Sequence, residues 1–159
     1  MRALACALAA LGMMTLQAAA QVTKPAVGSE EIYWVVTVAI PPGQMDSFKE
    51  VVAPLVAATK EEPGAMQYEY AASPDQSTVD IYERYRDSPA VIAHLTQTFG
   101  PKFSKQFLAI AKPTRFVVYG TPSPEAQKVL AGFDAVYMTP FDGFTREEPT
   151  ASGSTTPGK

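Results

Sequence analysis

Ten consecutive residues, Glu31 to Ile40, constrain this chain more than any other segment of it. The run is dense in β-branched and aromatic side chains: Ile32, Tyr33, Trp34, Val35, Val36 and Val38. In an extended strand successive side chains point to opposite faces, so apolar residues at both odd and even positions predict a central strand covered on both sides. Pro41-Pro42-Gly43 ends it.

The segments that follow alternate in period. Met45, Phe48, Val52, Leu55 and Thr59 recur at spacings of three and four, which predicts a helix. Pro54 lies inside that helix, and a mid-helix proline costs about 3 kcal/mol, so a kink or break is expected there. Pro63-Gly64 turns the chain into two strands, about Ala65 to Ala72 and Thr78 to Tyr85, joined by Ser73-Pro74-Asp75-Gln76. One face of the first carries Met66, Tyr68 and Tyr70. One face of the second carries Val79, Ile81, Glu83 and Tyr85, a carboxylate on an otherwise apolar row.

Ser88-Pro89 reads as a helix start, with a hydroxyl cap and proline in the first turn. Val91, Leu95 and Phe99 form its buried stripe, and Gly100-Pro101 is expected to stop it. A second short helix carries Phe103, Phe107 and Ile110, and Arg115 to Gly120 is a further strand. The order β-α-β-β-α-α-β predicts an α+β domain of ferredoxin-like, split βαβ type, with a four-stranded antiparallel sheet over residues 31–121. Right-handed crossovers put the helices on one sheet face. The other face carries too many apolar side chains to meet water, so a second copy of the same sheet is expected against it. Residues 122–144 form an extension: a helix started by Ser123-Pro124, then an aromatic run from Phe133 to Phe141 that is either an edge strand or an arm over a partner. Residues 145–159 form a polar tail expected to be disordered.

The first twenty residues differ from the rest. Arg2, the apolar run Ala3 to Leu16 and the small residues Ala18-Ala19-Ala20 predict a cleaved export signal, residues 1–20, followed by a linker, residues 21–30. The run is shorter than the ~20 residues that span a bilayer, so no stable membrane anchor is expected. Cleavage would remove Cys6, the one cysteine, leaving no disulfide, thiolate or cysteine ligand, which points to a periplasmic or secreted protein held by its core. Loss of Arg2 takes the 13 basic residues to 12 against 16 acidic ones, a formal −4 with no basic block, so no nucleic-acid partner is expected.

No dinucleotide turn, phosphate loop or nucleophile elbow is present, and one histidine without a mature cysteine argues against a metal site. Carboxylate pairs such as Glu30-Glu31 and Glu61-Glu62 lie at element ends and read as solvated charge. His94, beside the stripe of Val91 and Leu95, is the one candidate acid-base residue. The aromatic residues read mainly as core or interface. Any cavity among them would suit a flat, apolar, phenol-bearing ligand.

Glu62-Pro63-Gly64, Tyr68 and Tyr70, Ile81-Tyr82-Glu83-Arg84-Tyr85, Ser88-Pro89-Ala90 and His94 together resemble the antibiotic biosynthesis monooxygenase family over about Ile32 to Tyr119. The resemblance implies a dimeric α+β barrel, a homodimer of two ferredoxin-like units. It also implies kinship with cofactor-free oxygenases acting on hydroquinones and polycyclic phenols, so no cofactor is expected. In that chemistry a base removes a phenolic proton and the electron-rich anion reduces O₂ in a dry pocket. On this resemblance His94 is the base or the phenolate's partner, Trp34 or a tyrosine such as Tyr70 steadies the anion, and Phe103 and Phe107 wall the pocket. Glu83 matches a family position and is either a substrate contact or a buried structural hydrogen bond. Where haem-degrading relatives carry an axial histidine, this chain has Ser104. The expected function is an exported cofactor-independent monooxygenase of the quinol type. The alternative is a non-catalytic ligand-binding or stress-associated dimer on the same fold.

Overall fold

The computed structural model describes residues 22–23, 30–143 and 145–146. Strand β1 is Val22–Thr23, β2 Ile32–Ala39, β3 Ala65–Ala72, β4 Thr78–Tyr85, β5 Lys112–Tyr119, β6 Val136–Met138 and β7 Thr145–Arg146. Helix α1 spans Met45–Lys60, α2 Ser88–Ala93, α3 Ser104–Ile110 and α4 Pro124–Leu130. The main sheet runs β3-β4-β2-β5-β6. Its first four strands pair antiparallel in the ferredoxin-like order, and α1, α2–α3 and α4 cover one face. The period-two pattern of β2 sets which face that is: Ile32, Trp34 and Val38 are buried against helices, while Tyr33, Val35 and Thr37 lie on the open side, half exposed.

Five strands stand where four were expected. The fifth, β6, lies parallel to β5 because α4 intervenes between them, the crossover that parallel neighbours require. It occupies part of the aromatic run Phe133 to Phe141 and makes it an edge strand. In a separate two-stranded sheet, β1 pairs antiparallel with β7, joining two residues of the expected linker to two of the expected tail. The export-signal segment 1–20 and residues 147–159 of the tail lie outside the described residues.

Four local expectations are corrected. Helix α1 runs unbroken through Pro54, which is exposed, so the backbone acceptor it leaves unmatched, on Glu50, is also on the wet side. The cap of α2 is Asp87, whose carboxylate accepts from Ala90 N–H at 2.9 Å; Ser88 instead accepts from Ser123 N–H. Gly100-Pro101 does not stop the second crossover. The chain continues from α2 into a π-helix, His94–Phe103, and then into α3. Pro101 has no N–H to give and its ring crowds the carbonyl four residues back in an α-helix; wider turns accommodate it. Ser104 N–H accordingly reaches Phe99 O, five residues back. Strand β5 also starts at Lys112, three residues before the expected Arg115.

Candidate active site

Register builds the floor of the site. Trp34 on β2 pairs with Glu83 on β4, and Glu83 with Tyr68 on β3, so the three form one row across the sheet. Val36, Ile81 and Tyr70 form the next. Both rows face the helices. Above them the π-helix begins at His94, which is 2% exposed.

A close approach of two small residues brings His94 its partner. A methyl group on Gly64 would lie 2.3 Å from Ala90 Cβ, so only glycine lets the loop after α1 press against α2. Arg86 N–H donates to Gly64 O at 3.0 Å and holds that contact. Glu62, two residues before Gly64, then meets His94, one turn after Ala90. Its carboxylate oxygens lie 3.1 and 3.2 Å from His94 Nδ1. On the other edge of the ring, Nε2 is 3.6 Å from Glu83 Oε2, an electrostatic contact rather than a hydrogen bond.

The two carboxyls are tuned in opposite directions. Burial opposes ionisation of Glu62, but hydrogen bonding from His94 and Thr98 and the charges of His94 and Lys102 outweigh it, holding Glu62 below the usual carboxylate value. Glu62 is therefore an acceptor, and Nδ1 carries the proton between them. Burial dominates at Glu83 and pushes its carboxyl up, against the pull of His94, the Tyr85 hydroxyl and the Trp34 indole. Tyr85 donates to Glu83 Oε2 at 2.6 Å. The Trp34 N–H lies near enough to favour the carboxylate but makes no hydrogen bond, leaving a buried donor without a partner. Burial and the nearby Glu83 charge raise Tyr68, Tyr70 and Tyr85 well above the ordinary phenol value, so all three remain protonated. Tyr68 and Tyr70 share a 2.8 Å hydrogen bond.

A cavity of about 300 Å³ opens over this floor. Trp34, Glu83, Tyr68, Tyr70 and His94 line one part, and Phe99, Phe107, Leu108, Phe116 and Phe133 much of the rest. Polar groups converging in an otherwise apolar chamber are the usual composition of a small-molecule site. Among the described residues no cluster of three or more His, Cys, Asp or Glu side chains is placed to hold a metal ion, and no helix is long and apolar enough to cross a membrane.

Of the residues singled out in the sequence, His94, Trp34, Tyr70, Glu83 and Phe107 all line this cavity. Phe103 does not: the wide π turns leave it packed against the cluster around Phe48 and Leu55, and Phe99 takes its place in the wall. Glu62 was read as solvated charge and is instead the partner of His94. Its signal in the sequence is the Pro63-Gly64 turn, meaningful only once Gly64 is set against Ala90. Phe133 was missed as a wall because it follows the domain in sequence and returns over it in space.

The family model for antibiotic biosynthesis monooxygenases matches residues 32–118. No curated protein matches the chain significantly in sequence. Among solved structures, MupZ from Pseudomonas fluorescens superimposes with a TM-score of 0.65 at 23% identity, over 79% of this chain and 94% of that one. SnoaB, a cofactor-independent oxygenase from Streptomyces nogalater, gives 0.52 at 16% identity, over 59% and 95% of the two chains. A conserved protein from Methanosarcina mazei Go1 gives 0.53 at 16% identity, over 57% and 92%. At these identities the likeness is one of fold.

Proposed function

The chain belongs to the antibiotic biosynthesis monooxygenase family, whose match spans more than half of its 159 residues, and on that premise we propose that it is an exported, cofactor-independent monooxygenase of hydroquinones or polycyclic phenols. One observation carries the reading: a histidine clamped by a carboxylate at Nδ1 lines an aromatic-walled cavity together with Glu83 and with Trp34, whose buried indole N–H has no partner.

The steps follow from these groups. Glu62 fixes the proton of His94 on Nδ1, leaving the Nε2 lone pair as base. A phenolic hydroxyl at this end of the cavity gives its proton to Nε2. The phenolate accepts from Trp34 N–H, an exchange favourable because that donor has no other partner. The tyrosines are held too basic to ionise, so none of them competes with His94 as the base. The apolar walls exclude water while the electron-rich anion passes one electron to O₂ and the resulting radical pair joins at a ring carbon. The ring peroxide takes back the proton held on His94 and then loses water. Its O–O bond and the C–H bond of the same ring carbon break, that hydrogen leaves as a proton with the departing hydroxide, and the carbon becomes a carbonyl. One oxygen atom enters the ring, the other leaves as water, and the substrate supplies every electron.

Export is part of the reading, supported by Arg2, the apolar run to Leu16 and Ala18-Ala19-Ala20. So is a homodimer, supported by the half-exposed apolar and aromatic residues of the open sheet face. The test is oxygen uptake by the mature protein supplied with a panel of hydroquinones and polycyclic phenols in air. Turnover above the uncatalysed rate is expected, falling by roughly 10²–10⁴-fold in His94→Ala, the usual contribution of a positioned base. A wild type that matches the uncatalysed rate across the panel, yet melts higher with an aromatic ligand, would instead be the non-catalytic binding protein.

A further inference from the structure

We infer that Phe133, carried by the C-terminal extension, selects fused-ring over single-ring ligands in this cavity. The inference rests on the proposed reading of the site as a phenol pocket. Gly132, Phe133 and Asp134 line the cavity although they lie beyond residues 32–118, so the extension contributes part of the wall.

Phe133 is held there from both sides. Before it, α4 is capped by the Ser123 hydroxyl, tied to α2 through Ser123 N–H and Ser88 Oγ at 2.9 Å, and packed by the fully buried Ala126 and Leu130. After it, Asp134 takes a left-handed conformation, φ 52°, and the chain joins β5 as strand β6. The ring meets Phe116 edge-on, centroids 6.1 Å apart, and Phe99 at 6.5 Å. It remains 37% exposed, at the outer end of the chamber.

The ring positions set what can reach it. His94 adjoins Tyr68, Tyr85 and Phe99, which lies nearly parallel to the imidazole at 6.2 Å, and Phe133 follows as the next ring, in contact with Phe99 and with Phe116, itself against Trp34. A one-ring phenol with its hydroxyl on His94 covers Phe99 and stops short of Phe133. A fused polycycle held at the same point extends past Phe99 and gains the second aromatic face. The groups that recognise a hydroxyl, His94, Glu83 and Trp34, all lie at the inner end. The outer walls of Leu108, Pro113, Phe116 and Phe133 are apolar and suit a distal ring, with the Asp134 carboxylate at their margin opposing an anionic substituent there.

Calorimetric titration of the mature protein with phenol and with 2-hydroxyanthraquinone tests this without relying on turnover. The three-ring compound is expected to bind the more tightly, and Phe133→Ala to lower the three-ring to one-ring affinity ratio by about tenfold, the scale of one lost aromatic contact. Phe133→Leu, which keeps apolar bulk, serves if the alanine variant melts abnormally; it too should lower the ratio. A ratio unchanged in a folded variant overturns the inference. Oxygen uptake is read separately: ring selectivity without turnover removes the oxygenase reading alone, and turnover with unchanged selectivity removes the role of Phe133 alone.

Discussion

Glu62 and Glu83 face one imidazole from opposite edges, and their surroundings move their carboxyls in opposite directions. The consequences for stability are opposite too. A carboxyl lowered on folding contributes stability above its unfolded value and loses it as pH falls through the folded one; a raised carboxyl contributes in acid and loses its contribution as pH rises through the folded value. Thermal melts from about pH 2.5 to about pH 7.5 should therefore separate two variants. Glu62→Gln is expected to melt below wild type at neutral pH, the gap closing in acid. Glu83→Gln, which removes a buried charge but keeps an acceptor for Tyr85, is expected to gain on wild type as pH rises. Parallel curves for the two would contradict the assignment. At this scale His94, Glu83 and Trp34 were legible in the sequence, Glu83 as a carboxylate on an apolar row, His94 as an imidazole beside an apolar stripe, and Trp34 through the family resemblance. Glu62 was not, because its carboxylate becomes a partner only through the contact of Gly64 with Ala90.

Among the elements, the π-helix is the least expected. Gly100-Pro101 reads locally as a stop, and the chain passes through it because the helix widens. The widening brings Leu95 O so near Gly100 that a Cβ there would lie 2.4 Å away. In an ordinary exposed helix Gly→Ala stabilises by up to about 1 kcal/mol. Here Gly100→Ala forces backbone apart and is expected to destabilise by roughly 1–3 kcal/mol, the range for overpacking. Thermal denaturation distinguishes the two by sign: a variant melting above wild type would mean that the turn at Gly100 is an ordinary α turn. The same widening moves Phe99 into the cavity wall and leaves Phe103 outside it, a detail that helical periodicity at 3.6 residues per turn cannot supply.

For the molecule as a whole, the open face of the sheet governs behaviour. Tyr33 stacks on Tyr119 at 4.9 Å, Val35 is half exposed beside them, and Arg84 pairs with Glu31 at 2.5 Å along the margin. Light scattering of the mature protein at micromolar concentration is expected to give twice the mass of one chain. Val35→Glu places an unpaired charge in the middle of that face and should reduce the mass to that of one chain, since burying such a charge costs several kcal/mol. A wild type that is already a single chain would remove the proposed dimer.

Local chemistry in the sequence was sufficient for the layer order and for the residues that bear its polar chemistry. Two-residue alternation identifies strands, three-and-four spacing identifies helices, and their succession allows few topologies. What required the tertiary structure was every relation between residues distant in the chain. Glu62 reaches His94, Trp34 aligns with Glu83 and Tyr68, and Phe133 folds back over a domain that ends before it. Each depends on a close approach or a pairing register, and both are set by packing between elements rather than by the preference of any one of them.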